Sequence, residues 1–585
     1  MTEQNIPRSE YPRPQFERAD WMNLNGEWNF KFDRENQGEK EKWFKEPNFD
    51  KKIMVPFTYE TKASGIGEEA FCSNVWYQKS VMISSEYEKR NVILHFQAAD
   101  YITKLWVNGI FVGERKGGQI AFSFDITNYV NEKNELNLVV KIEDSQSCFQ
   151  PRGKQRWLKD SYECWYVQTT GIWQTVWLEF LNDNHVQAVK ITPDIDTESV
   201  EFAYEVAGNI DPSLVLKTTI SFNGESIKAF EQTVNRPYQA IKTNIASEFH
   251  HWRVVHWSPQ TPNLYDVEFT LFKNGEVVDN VKSYFGMRKI SIENGNVLLN
   301  NIPLYQKLIL DQGYWEESHL TPPSDEAIIE DIDRTMEMGF NGVRKHMKVE
   351  DQRFLYWADK KGLLVWSEMA ATYEFSDEAV QNFTVEWIEV VKQQYNHPCI
   401  ITWTPFNESW GVKNIYTNQK QQKFTEGIYH LTKAIDSMRP VIVNDGWEHT
   451  ISDIISLHDY VEYGDDFLKR YSNKEKVVQN EIAFNNFKHA MAQGYKYKGQ
   501  PIIISEYGGI AFNSEKGWGY GNQVKSEEEF LHRYESMTQA IKDTPYISGF
   551  CYTQITDVQQ EVNGLLKENR EAKVDVNKIR AINNK

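Results

Sequence analysis

At 585 residues the chain is too long for a single hydrophobic core, and two to four domains are expected. Its 64 Lys and Arg against 83 Asp and Glu give a net charge of −19, which argues against nucleic acid or an anionic membrane as partner. No apolar run is long enough to span a bilayer, and five scattered cysteines without CxxC spacing (Cys72, Cys148, Cys164, Cys399, Cys551) argue against a disulfide frame or a zinc site.

The start, Met1 to Arg8, has no apolar stretch of the kind a signal peptide needs. Together with reduced thiols this predicts a cytoplasmic protein. Aromatic residues form 14% of the chain, which suits β-rich domains and also sugar binding, where C–H faces stack on rings.

Up to residue 182 the pattern is of short alternating runs broken by turn signals. Asn91–Phe96 is one strand, and Lys104–Val107 and Ile110–Val112 flank Asn108-Gly109, a two-residue hairpin signal. Glu135–Val140 and Thr175–Phe180 follow, and the whole reads as a β-sandwich. Residues 183–287 repeat the texture in a smaller unit, with strands at Glu201–Val206, Val215–Ile220 and Tyr265–Leu271, and predict an immunoglobulin-like sandwich without a disulfide.

From 288 to 585 short apolar strands alternate with amphipathic helices. Strands are predicted at Leu304–Asp311, Gly342–His346, Leu363–Glu368, Ile400–Phe406, Val441–Asp445, Ile454–His458, Ile502–Glu506 and Gly549–Thr553. Helices are predicted at Asp325–Met338, Asp351–Lys361, Asp377–Tyr395, Gln419–Met438 and Glu527–Lys542, with too few residues for one between the fifth and sixth strands. Eight such strands make a (β/α)8 TIM barrel, whose chemistry sits where the strands end.

Two strand ends carry glutamates that stability does not call for, since burying a carboxylate is costly. They are Glu408, in Thr404-Pro405-Phe406-Asn407-Glu408-Ser409-Trp410-Gly411, and Glu506, in Ser505-Glu506-Tyr507-Gly508-Gly509. A pair of carboxylates facing one cleft is the machinery of glycoside hydrolysis. Other strand-end polar residues are Asp311, Arg344, His346, Glu368, Asn407, Asp445, His458, Asp459, Gln554 and Asp557.

Over nearly its full length the chain resembles glycoside hydrolase family 2, the β-galactosidases, β-glucuronidases and β-mannosidases. The first unit carries Gly171-Ile172-Trp173-Gln174-Thr175-Val176-Trp177-Leu178-Glu179, similar to the family's sugar-binding jelly roll. The second carries Trp257-Ser258-Pro259-Gln260-Thr261-Pro262-Asn263-Leu264-Tyr265 and Phe285-Gly286-Met287-Arg288-Lys289-Ile290, and the barrel carries Gly339-Phe340-Asn341-Gly342-Val343-Arg344 before the two glutamate motifs. The resemblance implies a retaining double displacement. Glu506 would be the nucleophile and Glu408 the acid/base, with Asn407 on the sugar 2-hydroxyl and Arg344 beside the nucleophile. Burial under Trp403 and Trp410, with a second carboxylate nearby, is expected to raise the pKa of Glu408.

The substrate is less legible. The Asn-x-Lys that β-glucuronidases place after the nucleophile recurs only as Asn583-Asn584-Lys585, a terminus expected to fray, although Lys567 and Arg570 offer other cations. The histidine with which large β-galactosidases help bind magnesium is missing after Glu368, so no metal or other cofactor is implied. Asp311-Gln312-Gly313-Tyr314-Trp315 and the stretch from Cys551 to Leu566 resemble compact β-galactosidase-like members. Asp311, Trp315, His346, His458, Tyr552 and Gln554 are therefore further candidates for substrate binding. An exo-acting β-galactosidase-like enzyme on oligosaccharides or other glycosides is the leading expectation. Glucuronides, galacturonides, β-galactofuranosides or α-L-arabinopyranosides are the alternatives, and a non-catalytic carbohydrate-binding protein is a remote one. Homo-oligomers are common in the family, and no residue decides the point here.

Overall fold

The computed structural model describes residues 6–585. Most of the opening stretch read above for a signal peptide lies outside the described residues.

The first unit is a two-sheet sandwich. One sheet has four strands, with Val176–Leu181 between Trp21–Asn23 and Asn91–Phe96. The other has six, with Asn74–Met82 and Glu135–Glu143 at its centre. Alternate residues point inward, as in Asn91–Phe96, where Val92, Leu94 and Phe96 are buried. Their partners in the core include Trp28, Phe30, Tyr77 and Leu138. The hairpin predicted at Asn108-Gly109 joins Ile102–Val107 to Ile110–Lys116. The second unit packs a three-stranded sheet on a four-stranded one around Phe202, Leu216 and Phe269.

The barrel opens with a small antiparallel sheet, Ile290–Glu293, Asn296–Leu299 and Ile302–Pro303, whose Ile290, Val297 and Leu299 enter the barrel core. Seven parallel strands then form one hydrogen-bonded sheet. They are Gln306–Asp311, Gly342–Lys345, Leu364–Glu368, Ile400–Thr404, Ile455–His458, Ile502–Gly508 and Ile547–Thr553. The predicted fifth strand, Val441–Asp445, is regular only at Asn444–Asp445. It pairs with Phe406–Asn407, the continuation of the fourth strand beyond Pro405, and a bridge from Trp403 to Val441 supports it. The seam to the sixth strand closes through single hydrogen bonds, such as His458 N–H to Gly446 O at 3.2 Å.

The five predicted helices are present, each entered through a capping side chain: Ser324, Asp351, Ser376, Asn418 and Ser526. The fourth stops at Ile435, short of the predicted Met438, because Asp436 turns extended and its carboxylate takes the N–H groups of Met438 and Arg439. Short helices at Gly464–Arg470 and Lys474–Val478 and a last one at Val576–Asn584 are additions. The last corrects the expectation of a frayed end. Asn583 is buried, donating to Met338 O and accepting from Tyr534, on the outside of the barrel. Among the described residues no helix is long and apolar enough to cross a membrane.

Candidate active site

Arg344, at the end of the second strand, is fully buried and organises the barrel mouth. Its Nε donates to Glu368 at 2.6 Å, and its Nη1 lies 2.8 Å from Glu506 and 2.7 Å from Asp445. Its Nη2 donates to Asn407 Oδ1 at 2.7 Å. Burial opposes its charge, but Asp445, Glu368 and Glu506 outweigh burial and hold the proton firmly. One planar guanidinium thereby ties the ends of five strands, which a point-like ammonium could not do.

Glu506 sits with one oxygen on Arg344 and the other on Tyr460, whose hydroxyl donates at 2.5 Å. Tyr460 stacks on Tyr520 at 3.4 Å between centroids. It was not singled out from sequence, although it follows His458 by two residues at a strand end.

Glu408 and the next residue, Ser409, hold φ of 50° and 61°, in the left-handed region that non-glycine residues avoid. The turn is pinned by Asp445 O, which accepts the Glu408 N–H, and by Asn444 Oδ1, which accepts that of Ser409. It swings the Glu408 side chain into the cleft, where it is 20% exposed. Oxygens of Glu408 and Glu506 lie within 4.8 Å of each other and of a ring nitrogen of His458.

His458 binds Glu408 through Nδ1 and Asp445 through Nε2, both at 2.8 Å. Close packing fixes it: a Cβ on Gly446, whose φ is 102°, would lie 2.7 Å from Nδ1. Burial disfavours the imidazolium, yet Glu506, Asp445 and Glu408 around it push its pKa up to about 10.

This reverses one expectation. Burial works to raise the pKa of Glu408, but the hydrogen bond and charge of His458, with Lys154 and Arg344, bring it below the ordinary value. Trp403 does not cover it, because its indole points into the helix layer and donates to Asp436 at 2.9 Å. Trp410 does line the cleft. His458 and Glu408 share a proton across the 2.8 Å contact, and the opposite directions of their pKa shifts favour its place on the imidazole. The pair keeps that proton up to the elevated pKa of the imidazole, about 10. In His458→Asn, Glu408 must keep the proton alone, so the alkaline limb of kcat/KM is expected to move down by more than about one pH unit. A pH–rate profile of the two proteins checks this, and an unmoved limb would contradict the shared proton.

The other candidates divide. Asn407 spends its carbonyl on Arg344 and its amide NH2 makes no hydrogen bond among the described residues. His346 lies on Arg344 and Glu368 at 3.1 and 3.0 Å, kept neutral by burial and then by Lys154 and Arg344. Gln554 accepts from Gln312 at 2.8 Å and donates to Asn563 at 2.7 Å, part of a buried network that reaches Glu561 and Tyr166.

Three candidates are not brought to the cleft. Asp311 has one oxygen on Lys345 and the other on the Gly313 N–H, behind the wall of the site. Trp315 is buried between Lys348 and Arg570, with no free face for a sugar. Tyr552 packs on Tyr507 and Tyr534 in the layer outside the barrel, because its register turns it away from the mouth. The cations Arg570 and Lys567 are paired with Asp331 and Glu571.

The cleft holds about 790 Å³. Trp410, Trp447, Trp518 and Tyr520 line it from the barrel, and Cys164 and Trp165 from the first unit. A second group of potential metal ligands, Asp359, His397 and Cys399, lies elsewhere. Asp359 there spends its oxygens on His397, Tyr284 and the Cys399 N–H, which makes it a structural tie.

Two sandwiches ahead of a barrel, with two close carboxylates at the strand ends, define a multidomain glycosyl hydrolase. Family models agree: "Glycosyl hydrolases family 2, sugar binding domain" matches residues 21–181, "Glycosyl hydrolases family 2" 184–288, and "Glycosyl hydrolases family 2, TIM barrel domain" 290–582. The chain belongs to glycosyl hydrolase family 2. It is 27% identical over 530 residues to a β-galactosidase of Thermoanaerobacter pseudethanolicus, covering 86% of this chain and 68% of that one. It is 22% identical over 615 residues to a β-glucuronidase of Streptococcus agalactiae, covering 94% of each. A solved β-glucuronidase of Ruminococcus gnavus shares the fold, with a TM-score of 0.80 at 16% identity, covering 99% of this chain and 100% of that one. Of another relative, a β-galactosidase of Leuconostoc mesenteroides, the match spans 41%.

Proposed function

We propose that this protein is a retaining exo-β-glycosidase that removes terminal non-reducing residues, with a β-galactoside-like glycone. The observation that carries the mechanism is the spacing of the two carboxylates, with oxygens within 4.8 Å. Retaining enzymes hold their carboxyl groups roughly 5–5.5 Å apart, whereas inverting enzymes leave roughly 6.5–9.5 Å for a water.

In the first step Glu506 forms a bond to the anomeric carbon as the bond to the leaving oxygen breaks. Glu408 delivers the shared proton to that oxygen. In the second step Glu408 takes a proton from water, whose oxygen displaces Glu506 from carbon. Arg344 and Tyr460 stabilise the departing carboxylate. The open NH2 of Asn407 donates to the 2-hydroxyl, a contact that strengthens in the oxocarbenium-like transition state. The aromatic walls supply stacking for the aglycone. The free cysteines, of which Cys72, Cys399 and Cys551 are buried, support a cytoplasmic setting.

β-Glucuronides are the second reading, favoured by the names of several relatives and structural neighbours. The pairing of Lys567 and Arg570 elsewhere weighs against it. A panel of aryl glycosides decides. The β-galactoside is expected to exceed the uronides in kcat/KM by about 10²-fold or more. Strong turnover of a uronide with none of the galactoside would reverse the choice of glycone.

A further inference from the structure

The first unit sends the segment 148–168 across the barrel mouth. The N–H groups of Arg152 and Gly153 donate to Ala371 O at 2.9 and 3.2 Å, and Tyr373 donates to Gly153 O at 2.5 Å. Gly153 passes so close to the second barrel loop that a Cβ there would lie 2.1 Å from Met347 O. On the far side, Gln560 donates to Glu163 O and Trp165 O at 2.9 and 3.0 Å. The segment is thus a fixed wall of the site.

Lys154 follows Gly153 in that wall. It is 91% buried, since its relative exposure is 9%. Its ammonium makes no ion pair among the described residues, and its hydrogen-bonding neighbour is the thiol of Cys164. A thiol is a weak acceptor for a buried ammonium, which leaves Lys154 with donor capacity to spare. Burial works against the charge, but Cys164, Glu561, Tyr373 and Glu506 hold the proton on.

Glu561, 3% exposed, is the carboxylate whose charge acts on it after the Cys164 thiol. Tyr166 connects the two. Its N–H donates to Lys154 O at 2.8 Å, and its hydroxyl donates to Glu561 Oε2 at 2.5 Å. Asn563 donates to Glu561 Oε1 at 3.2 Å, and Gln312 donates to the Tyr166 hydroxyl at 2.6 Å. The carboxylate is therefore held rigidly, while the ammonium has only the weak thiol acceptor of Cys164.

We propose that Lys154 and Glu561 together read one hydroxyl of a neutral glycone, the ammonium donating to the hydroxyl oxygen and the carboxylate accepting its proton. An ammonium only donates and an ionised carboxylate only accepts, whereas a hydroxyl does both. A sugar carboxylate would satisfy Lys154 alone and would meet Glu561 with like charge. It would also enter a mouth that already holds Glu368, Glu408, Asp445, Glu506 and Glu561 against Arg344, His458 and Lys154. The inference rests on the glycosidase reading and narrows its substrate to neutral sugars.

The test uses the full chain and a set of monodeoxy aryl glycosides derived from the neutral glycoside it cleaves best. Lys154→Met and Glu561→Gln are each expected to lower kcat/KM on the parent glycoside by about 10- to 100-fold, as for a hydrogen bond to a charged group. On the one monodeoxy glycoside that lacks the read hydroxyl, both losses fall below about threefold. Lys154→Arg, which keeps the charge, is expected to recover part of the loss on the parent. A merely structural lysine would impose the same loss on every glycoside, and that pattern, or no loss at all, overturns the proposal. A wild-type preference for uronides that Lys154→Met abolishes also overturns it, in favour of carboxylate recognition. A wild type that cleaves no glycoside removes the glycosidase reading and this proposal together, whereas an active wild type with indifferent variants removes the proposal alone.

Discussion

Glu506→Gln is expected to lose roughly 10⁴- to 10⁶-fold in kcat, the scale seen when a covalent nucleophile is removed. The amide keeps the shape of the carboxylate but cannot form the glycosyl ester. The fold is expected to survive, because Arg344 keeps Glu368 and Asp445 as partners at 2.6 and 2.7 Å. An unchanged melting temperature would establish this. Mass spectrometry after exposure to a 2-deoxy-2-fluoro aryl glycoside should show one sugar on the peptide bearing Glu506 in the wild type and none in the variant. Turnover above about 1% of wild type, or a label on another side chain, would remove Glu506 from the nucleophile's role.

Much of the barrel was legible because its signals are local. A run such as Ile502-Ile503-Ile504 ending in Ser505-Glu506 declares both a buried strand and an odd charge. Ser324, Ser376 and Ser526 announce helix starts in the same way. The fifth strand was over-read. Val441–Val443 are as apolar as a strand, and Ile442 donates to Trp403 O of the fourth strand, but the N–H groups on the other side serve side chains, Val441 donating to Asp453 and Val443 to Ser452. Side-chain hydrogen bonds that consume the ladder leave no trace in hydrophobic periodicity.

The site was legible only where one segment carries the chemistry. Glu408, Asn407, Arg344 and His458 announced themselves by ending strands. Tyr552 failed for a reason of parity, since register decides which face a side chain takes. Asp311 failed because its partner Lys345 comes from the next strand. Lys154 could not be found at all, because its place at the site comes from a segment of another unit crossing the barrel mouth. The depressed pKa of Glu408 was hidden for the same reason. Burial can be guessed from apolar neighbours in sequence, but His458 stands 50 residues away and decides the sign.

Glu408→Gln should separate the two halves of the reaction. With an alkyl or sugar aglycone the leaving oxygen needs a proton in the transition state, and the variant is expected to lose about 10²- to 10⁴-fold. With dinitrophenyl as leaving group no proton is required, so the first step should change by less than about tenfold. The second step still needs a base to activate water and slows in both cases. The glycosyl-enzyme on Glu506 then accumulates, which lowers KM for the activated substrate together with kcat. Azide, a nucleophile with no proton to lose, bypasses that need. Its addition should restore turnover of the dinitrophenyl glycoside and yield the β-glycosyl azide, while leaving the alkyl glycoside uncleaved. Equal losses for both aglycones, or an α-azide product, would place the acid/base elsewhere. Rescue also depends on room, and the amide in place of the carboxylate frees none by itself. The 20% exposure of Glu408 to the cleft is what gives azide its approach from the aglycone side, opposite Glu506, and hence retention of the β configuration.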